Sequence, residues 1–362
     1  MISSQVIETS IEELRAITRV DLCVYDPDGG VVATTFDSKE VKISLIKNFV
    51  DSPADSQVIG AYHLLKITDE GELAYVLIAK GNSEDTYVIG KIAVSQIGQL
   101  MAAYKERFDR NNFFQNLIMD NLLLVDVYNR AKKLHIEVTV PRVVFIVETK
   151  AEKDHTAAEL LSGMYSPQSG DFITAVDESN VILIKALAPD EGYEDIEKIA
   201  NPIVDMMNTE AMMNVRVAYG TIVQELKDVS KSYKEATMAL DVGKIFYVEK
   251  KVIAYGRLGI GRLIYQLPIN LCKIFMEEIF GEDGPVDFDE ETLTTVNKFF
   301  ENNLNVSETS RQLFVHRNTL VYRIEKLEKS CGLDVRTFDD ALTFKIAMMV
   351  VNYMKYLDSI SS

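Results

Sequence analysis

The sequence predicts an α+β multidomain protein whose last domain is entirely helical. Two observations support this fold class. Short apolar runs alternate with turn residues through most of the chain, whereas residues 286–362 show only helical periodicity, with apolar residues three or four positions apart. The chain has 362 residues, of which 47% are hydrophobic, so it can form two or three separate cores.

Residues 1–95 are predicted to form a domain around an antiparallel sheet. Strand patterns cover residues 21–25, 31–35, 58–68, 72–80 and 86–94, and turn sequences such as DPDGG and GNSED separate them. A helix precedes the strands, and residues 38–50 have the pattern of an amphipathic helix. A sheet with helices on one side resembles the small-molecule sensor domains of the PAS and GAF types. The resemblance implies a ligand between the sheet and a covering helix.

Five polar side chains of this domain are candidate ligand-binding groups. They are Arg19, Thr34, Thr35, His63 and Lys66. Together they could bind the carboxylate of a small effector or a similar anion. The alternative is that they are solvated or structural, as single polar residues on strands usually are.

Residues 96–136 are predicted to form a connector helix that dimerises. Ile97, Met101, Tyr104 and Phe108 follow the 4-3-4 spacing of a coiled-coil seam, which the polar residues 109–112 interrupt. The alternative is that this face packs against its own domain. Two protomers joined here would form a homodimer, or part of a higher oligomer.

Residues 137–250 are predicted to form an α/β domain. Strand patterns cover residues 142–148, 172–176, 181–186 and 215–220, and helical patterns cover 193–208 and 229–242. The second and third strands form a hairpin across the turn DESN. Residues 251–285 are predicted as a linker with one helix, at 269–280, and a turn-rich hinge that begins at Gly281.

Residues 286–362 are predicted to form a domain with two helices joined by a tight corner. Asn305 can cap the first helix, which Leu313 and Phe314 close on its apolar side. The second helix begins near His316, and Gly332 is suited to end it in the left-handed conformation. One buried stripe along it is expected from the spacing of Leu320, Ile324 and Leu327.

The opposite face of the second helix is polar. It carries Asn318, Tyr322, Glu325 and Lys329, with Arg317 and Lys326 at its flanks. Amide and basic groups on such a helix can bond base edges and phosphates in the DNA major groove. The alternatives are a helical hairpin with a solvated face, and a helix pair that binds another protein.

The charge distribution restricts any nucleic-acid contact to this domain. The whole chain carries −17, but residues 298–358 contain nine Lys or Arg and eight Asp or Glu. A local charge near +1 predicts weak DNA binding by one copy and stronger binding by two.

The sequence LFVHRNTLVYRIEKLEKSCGLDVRTFDDAL resembles the C-terminal helix-turn-helix of CdaR/PucR-type transcription regulators. The resemblance covers the H-x-N-T-L-x-Y-R core and the following G-L-D and F-x-D-A-L segments. It implies binding to an operator DNA through Arg311, His316, Arg317, Asn318, Thr319, Tyr322, Arg323 and Lys326. Arg323 flanks the buried stripe, so it could contact phosphate or support the helix. The R-I-G…H signature of the diacid-sensing members is absent, which argues against a sugar-diacid effector.

In this family the middle domain is GGDEF-like, and SYKEATMAL matches its S-Y-x-E-A-x-x-A-L segment. Diguanylate cyclases need the glycines and carboxylates of G-G-D/E-E-F to hold nucleotide and metal ions. The corresponding hairpin here is VDESNVILI, in which Asp177 and Glu178 lie in a polar turn without the glycine pair. The domain is therefore predicted to be degenerate and without enzymatic activity, with no cofactor and no metal site.

The sequence favours a cytoplasmic protein without a membrane partner. Its first residues lack the basic and apolar regions of a signal peptide, and no apolar segment approaches the ~20 residues that span a bilayer. Cys23, Cys272 and Cys331 are far apart and are expected to stay reduced.

Overall fold

A computed structural model describes residues 2–149, 156–166, 169–175, 177, 179–281 and 288–361. The chain divides into two compact units, Met1–Phe114 and Gln115–Ser362. The mixture of helices and strands confirms the α+β class, with the last domain entirely helical.

The first unit is built on one antiparallel sheet. Its elements are α1 (Ser4–Thr18), β1 (Asp21–Tyr25), β2 (Val31–Thr34), α2 (Ile43–Val50), β3 (Ser56–Ile59), β4 (Tyr62–Asp69), β5 (Glu72–Lys80) and α3 (Glu84–Ile118). The strands follow the order β2-β1-β5-β4-β3, so the first and last strands of this unit lie side by side.

Both faces of this sheet are covered by helices, and the expectation of helices on one side only was wrong. Leu22 and Val24 point to the face that α1 and the first half of α3 cover. Cys23 and Tyr25, which alternate with them, point to the face that α2 covers through Phe49. The alternation is the ordinary period of a strand, and here both sets are apolar.

The segment predicted as a fifth strand pattern, residues 86–94, is the beginning of α3. Glu84 and Asp85 lie in its first turn, where carboxylates interact favourably with the helix dipole. Gly90 allows the helix to lie close to the sheet, because a Cβ there would stand 2.8 Å from Leu65 Cδ1. A helix therefore forms despite the β-branched residues in this run.

The predicted connector is divided between the two units. The helix α3 continues through residues 109–112, where an interruption was expected, and it ends at Ile118. Ile97 is completely buried in the core of the first unit, and Met101 packs against the same core. This part of the supposed seam therefore packs against its own domain.

The second unit contains the other sheet and ten helices among its described residues. Its elements are α4 (Leu124–Lys133), β6 (Arg142–Glu148), α5 (Thr156–Met164), β7 (Phe172–Ala175), β8 (Asn180–Ala186), α6 (Tyr193–Glu210), β9 (Arg216–Tyr219), α7 (Val229–Phe246), β10 (Val252–Ala254), α8 (Ile260–Tyr265), α9 (Ile269–Phe280), α10 (Glu290–Glu301), α11 (Val306–Gln312), α12 (Arg317–Cys331) and α13 (Phe338–Ser361). The sheet order is β10-β9-β6-β8-β7, with β9 and β10 parallel and the other pairs antiparallel.

The helices α5 and α6 cover one face of this sheet, and α7 covers the other. Ser232 of α7 is completely buried and accepts a hydrogen bond from the Val144 backbone N–H, at 3.1 Å. Its hydroxyl also donates to the Thr221 carbonyl oxygen at 2.8 Å, and Glu235 accepts from the Thr221 backbone N–H. The S-Y-x-E-A segment thus attaches α7 to the sheet through hydrogen bonds.

The last helix, α13, belongs to two cores. Ala341 and Phe344 pack in the core of the C-terminal domain, whereas Val350 and Tyr353 pack with residues of α8 and α9. The predicted linker, residues 251–285, therefore contains packed elements, although residues 282–287 of its hinge lie outside the described residues.

Candidate nucleic-acid interface

The helices α11 and α12 form the predicted pair, joined by a corner at residues 313–316. The Asn305 side chain caps α11 by accepting from the Glu308 backbone N–H at 3.0 Å. His316 caps α12, because its Nδ1 accepts from the Asn318 backbone N–H at 3.2 Å. At the other end Gly332 has a φ of 73°, as predicted for the residue that ends this helix.

The orientation of α12 is fixed by its buried stripe. Leu320 and Ile324 are completely buried and Leu327 is 1% exposed. They pack in one core with Val296 and Phe299 of α10. Burial of three large apolar side chains contributes several kcal/mol, roughly 1.5–3 each, so the opposite face is held towards solvent.

We call that opposite surface the recognition face. It consists of Arg317, Asn318, Thr319, Tyr322 and Lys329, all of them exposed. Glu325 lies on the same side of the helix, but it is ion-paired with Arg336 at 3.9 Å and is not counted in this face. Within the described residues, the side chains of Asn318, Thr319 and Tyr322 make no hydrogen bond to the rest of the protein, and Arg317 and Lys329 form no ion pair. These groups can therefore bond to base edges or phosphates without losing an internal partner.

Two of the predicted DNA-contacting residues have hydrogen-bond partners within the domain. The Arg323 side chain is only 17% exposed, and its guanidinium donates to Thr295 Oγ1 at 3.1 Å and to the Glu291 carboxylate. His316 is occupied as the cap of α12. Arg323 thus supports the helix from α10, which was one of its two expected roles.

Arg311 and Lys326, two further predicted DNA-contacting residues, have partners in exposed ion pairs only. Arg311 bonds to both carboxylate oxygens of Glu308 at 2.7–2.8 Å, which lowers the pKa of that carboxyl. Lys326 Nζ lies 3.3 Å from Asp289 Oδ2. Both basic side chains are more than half exposed, so these surface pairs are weak and a phosphate could replace the carboxylate.

The expectation for Phe314 was wrong. Leu313 and Val315 do pack against the core, but the Phe314 side chain is 95% exposed and closes no apolar side. Its backbone has a φ of 56°, in the left-handed region. We expected burial because the side chain is apolar. The backbone conformation of the corner instead directs the side chain into solvent.

The five candidate ligand residues of the first unit do not form a common site. Thr34 Oγ1 donates to the Phe36 carbonyl, and Thr35 Oγ1 bonds to the backbone of Leu22, so both hydroxyls stabilise the β1–β2 edge. Lys66 lies on β4, on the opposite side of the central strands, and its Nζ donates to the carbonyls of residues 50 and 52 at the end of α2.

Arg19 and His63 are separated from these groups and from each other. Arg19 is the exposed left-handed residue that ends α1, with a φ of 59°. His63 is buried in β4, with its ring 6.3 Å from that of Tyr87 and its Nδ1 unbonded. The five side chains therefore do not converge on one point where an anion could bind. The threonines and the lysine bond to nearby backbone instead.

The first unit instead contains an open cleft of about 890 Å³. The larger apolar side chains that line it include Leu73, Tyr75, Met101, Tyr104 and Phe108. Its polar surface comes from Asp26, Asp28, Asp69, Glu70, Glu72 and Lys105. Five carboxylates against one ammonium give a strongly acidic rim, although Lys105 pairs with Asp69 and Glu70 at 3.5 and 3.0 Å. None of the five predicted ligand residues lines this cleft.

In the hairpin that would carry a cyclase site in the second unit, the Asp177 carboxylate is held by neighbouring residues. Asp177 accepts hydrogen bonds from the Ser179 backbone N–H and the Asn180 side-chain amide, at 2.8–3.0 Å. Glu178 lies outside the described residues. Where residues are described, no group of His, Cys, Asp and Glu side chains could hold a metal ion.

None of the described helices is long and apolar enough to cross a bilayer. Comparison with protein families gives two matches. Residues 292–350 match the PucR C-terminal helix-turn-helix domain, and residues 121–242 match the GGDEF-like domain.

Individual relatives agree with these matches. The carbohydrate diacid regulator of Escherichia coli (strain K12) is 24% identical over 299 residues, which cover 78% of this chain and 77% of that protein. The purine catabolism regulatory protein of Bacillus subtilis (strain 168) is 25% identical over 173 residues, 46% of this chain but only 32% of that protein. A crystal structure of a regulator of polyketide synthase expression from Bifidobacterium adolescentis aligns over 69% of this chain and 99% of its own, at 13% identity. Its TM-score of 0.35 is too low to support an inference.

The two family matches coincide with the structural features described above. The helix-turn-helix match runs from α10 into α13 and includes the recognition face, and the GGDEF-like match runs from α4 into α7 and includes four of the five strands of the second sheet. The chain belongs to the CdaR/PucR-type family of DNA-binding transcription regulators.

Proposed function

We propose that this regulator controls a metabolic operon in response to a small molecule and reads its operator with the recognition face of α12. One observation carries the proposal: α12 is fixed by a buried stripe and by Arg323, while the side chains of the recognition face have no hydrogen-bond or ion-pair partner among the described residues. Asn318 is suited to an adenine edge, and Arg317 to guanine or phosphate. A regulator must reach its DNA, so we place it in the cytoplasm.

The charge of the C-terminal domain supports action as a dimer or a higher homo-oligomer. Residues 298–358 carry about one net positive charge, and five of their nine basic side chains are ion-paired within the described chain. Two copies would double the phosphate contacts and could place two recognition helices one DNA turn apart, ~34 Å. Light scattering of the full chain with and without DNA tests this part of the proposal.

The first unit is proposed as a PAS/GAF-like sensor, and its cleft as the effector site. A two-sided antiparallel sheet with helices on both faces and a cleft beside α3 supports this role. The acidic rim would repel an organic anion, so it does not favour the carboxylate effector that the residue types had indicated. A thermal-shift screen of the full chain with small acids, amino acids, amines and purines would identify the class that binds.

A nucleotide cyclase is the alternative from another class, and we propose that the chain lacks this activity. The Asp177 carboxylate is satisfied within its own turn, and the glycine pair is absent from the hairpin. Incubation with guanosine triphosphate and magnesium should yield no cyclic dinucleotide. Formation of that product would overturn the assignment.

The DNA-binding part is tested with a duplex that carries the promoter of the chain's own gene. The full-length protein should form a specific complex at low salt that an unrelated duplex does not compete away. The variant Asn318→Ala should bind this duplex at least about tenfold more weakly, whereas Glu278→Ala, on the exposed side of α9, should bind it as the wild type does. If the wild-type chain forms no specific complex with the promoter duplex even at low salt, the regulator proposal fails and the alternative of a non-DNA-binding interaction module is favoured.

A further inference from the structure

The corner between α11 and α12 exposes one aromatic ring that the folded chain does not use. Phe314 is 95% exposed, although the residues on either side of it pack against the core of the domain. A phenyl ring in this position forgoes the burial by which apolar side chains stabilise a fold. The ring is therefore available to a partner.

The backbone at the same residue is also unfavourable. A φ of 56° places Phe314 in the left-handed region, which a bulky side chain rarely adopts and which glycine tolerates best. The corner is held by hydrogen bonds from the Phe314 N–H to the Arg311 carbonyl, at 3.2 Å, and from the Val315 N–H to the Ser310 carbonyl, at 3.0 Å. A strained residue whose ring buries nothing points to a role outside the isolated molecule.

The position of Phe314 indicates what the partner is. It stands two residues before His316, the cap of α12, and three before Arg317, the first residue of the recognition face. In helix-turn-helix complexes the N-terminal residues of the second helix contact base edges in the major groove. A ring that projects from this corner would approach the same groove. The main apolar group there is the C5-methyl of thymine, with which phenylalanine makes favourable contact.

We propose that Phe314 contacts a thymine methyl group of the operator and thereby contributes to sequence recognition. This inference rests on the proposed use of the recognition face. A neutral ring neutralises no phosphate, so its contribution is to specificity and not to the salt dependence of binding.

The experiment uses the full-length chain and duplexes that it selects from a random-sequence library. Each thymine of the selected site is then replaced by uracil, which removes only the methyl group. The variants are Phe314→Asn and Phe314→Gly, which suit the left-handed backbone, with Phe338→Ala as the control. Phe338 is also an exposed phenylalanine, at 71%, but it lies beyond the C-terminal end of α12.

The wild-type chain should lose roughly tenfold in affinity at one particular thymine-to-uracil replacement. Phe314→Asn should lose about the same factor of affinity on the unmodified duplex. The uracil replacement should then cause no further loss in this variant, so that the two effects are not additive. The dependence of affinity on salt should be unchanged, and the melting temperature of Phe314→Gly should equal or exceed that of the wild type. Phe338→Ala should bind as the wild type does.

Unchanged affinity of both Phe314 variants would overturn the proposal. So would a loss of affinity that no uracil replacement reproduces, or an equal loss in Phe338→Ala. If the wild-type chain selects no duplex at all, the proposed DNA recognition itself fails. If it selects a site that the Phe314 variants bind with wild-type affinity, only the proposal for Phe314 fails.

Discussion

The support that Arg323 gives to α12 leads to a prediction that separates a structural arginine from a DNA-contacting one. The perturbation is Arg323→Met, which keeps an apolar stem of similar length but removes the guanidinium. Its counterpart is Arg317→Met on the recognition face. We expect the first variant to lose stability and the second to lose DNA affinity.

The expected loss for Arg323→Met follows from its two partners. Thr295 is 1% exposed, and a hydrogen bond from a charged donor to such a buried acceptor contributes about 1.5–3 kcal/mol. Glu291 is 70% exposed, so the ion pair adds only about 0–1 kcal/mol. Thr295 keeps its own bond to the Glu291 carbonyl, so no buried hydroxyl is left unpaired. The sum is about 2 kcal/mol, or roughly 4–8 °C in melting temperature for a unit of this size.

The assay combines thermal unfolding with a salt titration of promoter binding. Arg323→Met should melt earlier but keep the wild-type slope of log affinity against log salt. Arg317→Met should melt normally, and if Arg317 contacts one phosphate its slope should fall by about 0.9. A reduced slope with unchanged stability in Arg323→Met would refute the structural role.

Three further predictions concern the recognition face, the middle domain and the response to pH. Asn318→Ala should bind its selected duplex at least about tenfold more weakly with an unchanged melting temperature, and retained affinity would remove this residue from recognition. Ser232→Ala should lower the free energy of unfolding by about 3 kcal/mol in urea, because one buried and one half-buried backbone group lose their partner, whereas Thr237→Ala should cost less than about 0.5 kcal/mol. Hydrogen bonds from Thr292 lower the pKa of Asp289 below its ordinary value of 3.8, so this cap stabilises the domain above that pH and less as the pH falls through the lowered value. Acid unfolding followed by circular dichroism should therefore show the advantage of the wild type over Asp289→Ala shrinking below pH 3.8, and a constant advantage would contradict the role of the charge.

The C-terminal domain was predictable from sequence because its determinants are local. The cap at Asn305, the stripe that begins at Leu320 and the end of the helix at Gly332 all follow from spacings within one or two turns, and each is confirmed. The hairpin of the second sheet was predicted for the same reason, since a polar turn separates two apolar runs.

Features that depend on long-range packing were not predictable in this way. Residues 86–94 are rich in β-branched residues, but they form a helix because the close approach at Gly90 lets them cover the sheet. The pairing of Arg323 with Thr295 joins residues that are 28 positions apart in the sequence. The acidic cleft likewise gathers side chains from four separate segments, whereas the candidate ligand residues were chosen for their chemistry alone.

The central claim is that a free and rigidly held face of α12 recognises a specific DNA sequence. The most direct measurement is the affinity of the full-length chain for its own promoter and for an unrelated duplex, across a range of salt concentrations, with wild type and Asn318→Ala in parallel. The logarithm of both wild-type affinities should fall linearly with log salt, while the promoter stays favoured by at least about a thousandfold over the unrelated duplex. Asn318→Ala should lose at least about tenfold of that preference. Equal wild-type affinity for both duplexes at every salt concentration would contradict the account.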